Sequence, residues 1–190
     1  MASTNKYFKS GVNKTVLDLG CGTGNNTKFF IEYKFKKIHG VDVSKSAIKI
    51  AQKFIKKKSK VKFINKNFKD LKLRENFFDL ICDRGSMTHT SKKFMNNFYK
   101  KQAYSSLKKG GYIFSWIFSS SHYASKKSSY NAFKKETKSK GGLLTSFYTK
   151  NEINIIFKKF KIINLIEEKK INYLNKKKIN SVWFIVAKKI

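Results

Sequence analysis

Val16-Leu17-Asp18-Leu19-Gly20-Cys21-Gly22-Thr23-Gly24 sets three glycines at alternate positions behind a short apolar run that holds one acid. Thr15 to Leu19 reads as a strand, and a helix is expected from Asn25. Glycines at such a junction let the backbone turn sharply and lie against a ligand where a side chain would collide. The spacing discriminates between ligands. The dinucleotide fingerprint is G-x-G-x-x-G, but the sixth position counted from Gly20 is Asn25, and from Gly22 it is Thr27. The pattern here is G-x-G-x-G. A carboxylate at Asp18 would repel a pyrophosphate and suits a cationic amino group, so the loop does not point to a dinucleotide.

Outward from this loop, apolar β-branched runs alternate with helix-period stretches, the pattern of an α/β fold with a mostly parallel sheet. Further strands are expected at Lys37–Val41, Val61–Ile64, Phe78–Cys82 and Tyr112–Phe118. Ala47, Ile48, Ala51, Phe54 and Ile55 recur at helical spacing behind Ser44, which caps that helix. Lys92–Leu107 reads as another helix, ended by Gly110-Gly111. Ser119 to Gly142 loses periodicity and reads as a long connection. Thr149 and Glu152 form a capping box opening a helix whose apolar stripe is Ile153, Ile156, Phe157 and Phe160. Strands at Lys161–Ile166 and Ser181–Ala187 follow, joined by a turn at Asn175 to Asn180 too short for a crossover helix, so they should pair antiparallel. The expected architecture is one domain over residues 1–190: seven strands, mostly parallel, ending in an antiparallel hairpin, with 119–148 a substrate-side insertion or lid.

The charge of +32 normally suggests nucleic acid. Of the 43 basic residues only Arg74 and Arg84 are arginine, Pro is absent, and the lysines are scattered, which is the signature of AT-rich codons rather than of a selected phosphate-binding surface. Nucleic acid is thus a possible partner but not the favoured one. Cys21 and Cys82 have neither metal-ligand nor disulfide-framework spacing, so no metal site is expected and a reducing, cytoplasmic setting is. No stretch approaches the roughly 18 apolar residues of a membrane span.

A second acid, Asp42 in Gly40-Val41-Asp42-Val43, stands at the tip of the second strand, where a carboxylate accepts from ribose hydroxyls. Phe63-Ile64-Asn65-Lys66-Asn67-Phe68 follows the third strand and Phe78-Asp79-Leu80-Ile81 leads the fourth. With Leu107-Lys108-Lys109-Gly110-Gly111-Tyr112, these segments resemble, in order and spacing, the class I S-adenosylmethionine-dependent methyltransferase superfamily over nearly the whole chain. The resemblance implies a Rossmann-like three-layer sandwich and S-adenosylmethionine as cofactor, with S-adenosylhomocysteine as product. It implies that Asp18 holds the methionine amino group, that Gly20, Gly22 and Gly24 pack under the cofactor, and that Asp42 binds the ribose. Asn67 stands where the family often has an Asp contacting the adenine amino group, and its carbonyl oxygen can still accept; Phe68 would lie by the adenine ring. Cys21, Val43 and Asp83 complete the expected cofactor-side set. Replacing Asp18 by Ala is expected to remove a ligand and no core volume.

The methyl acceptor is less legible. Cys82-Asp83-Arg84-Gly85-Ser86-Met87-Thr88-His89-Thr90 leaves the fourth strand at its carboxyl edge, where ligands of open α/β sheets sit. His89 is the candidate general base and Arg84 the candidate holder of an anionic group on substrate or cofactor. Trp116, His122, Tyr123, Tyr130, Phe147 and Tyr148 are candidates for the acceptor wall. Without proline, the Pro-Pro-Tyr and Pro-Pro-Phe motifs of enzymes that methylate nucleic-acid amino groups cannot occur, nor the Pro-Cys pair of RNA cytosine C5 enzymes, and Cys82 is a poor nucleophile candidate. Asp83-Arg84-Gly85-Ser86, with Gly141-Gly142-Leu143 and Phe147-Tyr148, looks closest to small, single-domain methyltransferases acting on metabolites or sugars. A small-molecule acceptor is therefore expected; the alternatives are an RNA or protein acceptor, or a non-catalytic cofactor-binding subunit.

Overall fold

β1 (Thr15–Leu19) is buried along its whole length in the interior of the sheet. Such a position explains an unbroken apolar run in place of polar–apolar alternation. Its side chains still alternate between faces: Val16 joins one core cluster with Phe30, Ile38, Leu80 and Phe114, while Leu17 and Leu19 join another with Ile81, Ile113, Met95 and Phe157. The computed structural model describes residues 10–56, 60–126, 136–138, 144–175 and 177–190.

α1 (Asn25–Glu32) follows the glycine loop, then β2 (Lys37–Asp42), α2 (Lys45–Ile55) and β3 (Val61–Asn65). The chain then crosses back to β4 (Phe78–Arg84), so β1 pairs with β2 on one side and β4 on the other, all parallel. That reversal opens a crevice at the carboxyl ends of β1 and β4. Ser44 caps α2 by accepting from the Ala47 N–H at 3.2 Å. Ile48, Ala51 and Ile55 are buried as their spacing predicts, but Phe54 is 47% exposed, with the Lys28 ammonium 5.6 Å from its ring.

The helix expected over Lys92–Leu107 is composite. α3 (Lys92–Phe98) widens into a π-helical stretch at Tyr99–Ala103, closes with one turn at Tyr104–Ser106, and gives way to β5 (Leu107–Phe118). Gly110 and Gly111 are therefore not a helix cap. Phe78 pairs with Leu107 and Leu80 with Tyr112, so the intervening residues of β5 bulge out. Gly110 has φ +78, and a Cβ on Gly111 would lie 2.9 Å from the Lys108 carbonyl oxygen.

The expected connection after β5 holds a turn of 3-10 helix and two short strands, β6 (Glu136–Lys138) and β7 (Leu144–Ser146), paired antiparallel. Tyr130 and the Gly141-Gly142-Leu143 segment lie outside the described residues. The two ends of the connection are tied together: Ser119 bridges Tyr148, Tyr148 N–H donates to the Phe118 carbonyl at 2.9 Å, and Ser120 N–H donates to the Tyr148 carbonyl at 2.9 Å. α4 (Lys150–Ile156) opens on the Thr149–Glu152 capping box read from the sequence. β8 (Lys161–Asn172) and β9 (Lys177–Lys188) form the final antiparallel hairpin, giving the order β3-β2-β1-β4-β5-β9-β8. Both strands run well past their expected ends. Charged residues from Glu167 to Lys170 keep the backbone ladder with β9 while facing mostly solvent, so pairing outlasts the hydrophobic signal.

Candidate functional site

Because Val16 and Asp18 share a face, Asp18 points to the side on which α1 begins, and the first turn of α1 meets it there. The carboxylate is fully buried; Thr27 Oγ1 donates to Oδ2 at 3.0 Å and Asn26 Nδ2 reaches Oδ1 at 3.5 Å. Burial pushes the Asp18 pKa up to about 7, the hydrogen bonds from Thr27 and Asn26 pull the other way, and the charges of Asp83 and Asp42 add to the rise. An acid so placed gains most from a cationic partner.

The loop after β1 is held from three directions. Gly20 and Cys21 N–H groups donate to the Val41 carbonyl at 2.8 and 3.0 Å. Asp42, half-buried at the tip of β2, accepts from Gly22 N–H with Oδ2 and from Ser44 N–H with Oδ1, both at 2.8 Å. A Cβ on Gly20, at φ +67, would lie 2.2 Å from Ser86 Cβ, so the loop after β4 packs directly on the glycine loop. Gly22, at φ +53, has no atom within 4 Å of where its Cβ would be: the loop leaves open space on that side. Val43 is 65% exposed beside it. Asn65 ties the tips of β2 and β3 by donating to the Asp42 and Val43 carbonyls at 3.0 and 2.9 Å. Beyond them Asn67 is exposed, accepting from Lys69 N–H, and Phe68 is half-buried against the core.

Asp83 differs from the other predicted cofactor-side acids. It is 1% exposed, and its carboxylate accepts from the N–H groups of Ser86 and Met87, the Ser86 hydroxyl at 2.6 Å and Tyr99 at 2.8 Å, with Ser115 at 3.2 Å. Burial raises its pKa against these hydrogen bonds. Tyr99, whose hydroxyl reaches this carboxylate, stands at the start of the π-helical stretch. Asp83 therefore shapes the loop that presses Ser86 onto Gly20. Asp79, at the opposite end of β4, pairs with Lys108 and accepts from Thr15 N–H, far from the carboxyl edge. The thiols of Cys21 and Cys82 are pushed up by burial, which disfavours thiolate chemistry.

Arg84 ends β4 on the Asp18 side. Its Nη1 donates to Asn26 Oδ1 at 3.3 Å and its guanidinium lies 5.2 Å from the Trp116 ring centroid, at one end of a groove of about 370 Å³ also lined by Phe29, Ser115 and Phe184. Asn26 thus joins Arg84 to Asp18. His89 sits apart from that groove, its Nδ1 3.3 Å from Thr145 Oγ1 and its ring edge-on to Phe118 at 6.2 Å; Ser146 Oγ donates to the Thr90 carbonyl at 2.7 Å. The proposed base and the proposed anion holder therefore occupy different places. Asn26, Thr27, Asn65, Ser86 and Tyr99 were not singled out from the sequence. Asn26 and Thr27 had a usable signal, a polar pair in the first helical turn opposite a buried acid.

A methyltransferase domain family model matches residues 16–111, just over half of the chain. A probable S-adenosylmethionine-dependent methyltransferase of Saccharomyces cerevisiae is 39% identical over 67 residues, 34% of this chain and 23% of that protein. A phosphoethanolamine N-methyltransferase of Plasmodium falciparum is 28% identical over 89 residues, 47% of this chain and 34% of that protein. The match thus spans about a quarter to a third of these relatives. Among solved structures, an S-adenosylmethionine-dependent methyltransferase of Methanosarcina mazei superposes with a TM-score of 0.77 at 17% identity, covering 100% of this chain and 98% of that one.

Proposed function

The chain belongs to the methyltransferase domain family, and from that premise we propose that it transfers a methyl group from S-adenosylmethionine to a small-molecule acceptor. One observation carries the reading: a buried acid, a glycine loop with open space over Gly22 and a second acid pinned to that loop lie together at the sheet's carboxyl edge. The donor set fits the cofactor. Asp18 suits its amino group, Asp42 its ribose hydroxyls, Asn67 and Phe68 its adenine, and the backbone from Gly20 to Gly24 with Cys21 and Val43 its underside. Bound there, S-adenosylmethionine supplies a methyl group on a sulfonium sulfur that is already a good leaving group.

The chain's own residues then have positioning work, because in-line transfer needs the acceptor atom held close and aligned. Asp83 fixes the Gly85–His89 segment, His89 stands as the base where the acceptor must lose a proton, and Arg84 holds an anionic group of cofactor or substrate. On this reading the chain is a single domain, with the described parts of 119–148 on its substrate side. The phosphoethanolamine specificity in the name of one relative supports a small acceptor. The free thiols of Cys21 and Cys82 support a cytoplasmic setting, and no helix among the described residues is long and apolar enough to cross a membrane.

The test is incubation with methyl-labelled S-adenosylmethionine and separate metabolite, RNA and protein pools. Label in the metabolite pool is expected. Label confined to RNA or protein would transfer the assignment to a macromolecular acceptor, for which the +32 charge is the argument. Cofactor binding with no label in any pool would favour a non-catalytic subunit.

A further inference from the structure

From Lys45 to Lys56 the chain reads Lys-Ser-Ala-Ile-Lys-Ile-Ala-Gln-Lys-Phe-Ile-Lys, so α2 holds no acid. Lys45, Lys49 and Lys53 recur every four residues and stand in one row with a pitch of about 6 Å along the helix; Lys56 follows as its cap. In the sequence they are four lysines among many, and the helix is what aligns them. All four are exposed, and among the described residues none of them is in an ion pair. Like charges at this spacing disfavour the helix that carries them. A partner with negative charges along its length would relieve that repulsion.

β3 is an edge strand, so no further strand closes the outer side of α2. Between α2 and β3 opens a groove of about 960 Å³, the size of a ligand cleft. Half-buried Val61 and Phe63 form its floor, and exposed Lys49, Lys53 and Lys56 stand on its rim. Ile50, 52% exposed, and the exposed Gln52 complete the lining. A bilayer is flat and would meet the lysine rim before the recessed floor. An acyl chain with one charged head would satisfy only one lysine of the row. A chain that offers one phosphate and one flat apolar face per repeat satisfies both features.

We infer that the groove between α2 and β3 binds single-stranded nucleic acid, with phosphates along the lysine row and base planes against Ile50, Val61 and Phe63. The Gln52 amide, both donor and acceptor, stands ready for a base edge. This surface goes beyond the methyl-transfer reading and does not depend on it.

The test is fluorescence anisotropy of a labelled oligouridylate about 12 nucleotides long, titrated with the full chain between about 50 and 200 mM salt. Lys49→Gln, Lys53→Gln and Lys56→Gln together should weaken binding about tenfold or more. They should also reduce the slope of log affinity against log salt by about 2, three phosphate contacts at about 0.7 each. Lys93→Gln, Lys101→Gln and Lys109→Gln remove the same charge from exposed positions elsewhere and should change affinity less than about threefold. Ile50→Ser should weaken binding several-fold and leave the salt slope unchanged. In the wild type itself, oligouridylate should protect Lys49, Lys53 and Lys56 from amine acylation more than Lys93, Lys101 and Lys109, as read by mass spectrometry. Equal weakening by the two triple variants would overturn the inference, because the row would then count only as its share of the +32 charge. So would even protection of all six lysines, or an oligouridylate that does not bind. Binding to phosphatidylserine vesicles that the Lys49, Lys53 and Lys56 substitutions abolish, with oligouridylate binding intact, would overturn it in favour of a membrane surface. S-adenosylhomocysteine is absent throughout, so none of these outcomes bears on the methyl-transfer reading.

Discussion

The proposed cofactor-side and acceptor-side halves of the site are built by different means. Around β1, β2 and the start of α1, side chains act on the backbone: Asp42 holds Gly22 and Ser44 N–H groups, and Gly20 exists to let Ser86 approach. Beyond β5 the proposed acceptor side is built from packed rings, Phe118, His122 and Phe147, whose contacts run ring against ring. The first half therefore tolerates little change in residue type at a few positions. On the proposed reading, substitutions among those rings should leave the glycine loop undisturbed.

Gly20→Ala should have the largest effect on that contrast. Its Cβ meets Ser86 Cβ at 2.2 Å and its φ of +67 is unfavourable for Ala, so a stability loss of about 3 kcal/mol is expected, with S-adenosylhomocysteine binding lost alongside it. Chemical denaturation and calorimetry together measure both. Tyr99→Phe sharpens the comparison with a smaller effect. It removes one of several donors to Asp83, which should cost about 1–2 kcal/mol and lower Tm by about 2–8 °C. Cofactor affinity should stay within about threefold, because Asp83 keeps its contacts to Ser86 and Met87. If Tyr99→Phe abolished cofactor binding and Gly20→Ala spared it, the division between the halves would be wrong.

The same contrast explains what the sequence discloses. Glycine at positive φ and an acid at a strand tip are demanded by backbone geometry, so they recur at fixed spacing and can be counted: β1, its glycine loop and Asp42 are legible residue by residue. The seven-stranded sheet and its antiparallel terminal pair follow from alternating periods plus a turn too short for a crossover. Three features escape that arithmetic. The β5 bulge imitates a helix stop because Gly110-Gly111 serves either purpose. The ladder of β8 and β9 continues through charged residues that carry no hydrophobic period. The hydrogen bonds that hold Asp83 come from Tyr99 and Ser115, 16 and 32 residues away, and so leave no local trace in the sequence.

Asp18 stands at the centre of the account. Alanine there would remove more than a ligand, since it would leave the Thr27 hydroxyl and Asn26 amide without their buried acceptor, so Asp18→Asn is the cleaner probe. An ammonium prefers the ionised carboxylate, and with a pKa near 7 in the free protein Asp18 should bind it less well as pH falls through that value. The most direct measurement is calorimetric titration of the wild type and Asp18→Asn with S-adenosylhomocysteine at pH 6 and pH 8, with NAD as comparator. The account predicts heat with S-adenosylhomocysteine and none with NAD, tighter binding at pH 8 than at pH 6, and on the order of a hundredfold loss in Asp18→Asn that also flattens the pH dependence. Binding of NAD, or near-normal and still pH-dependent affinity in Asp18→Asn, would contradict it.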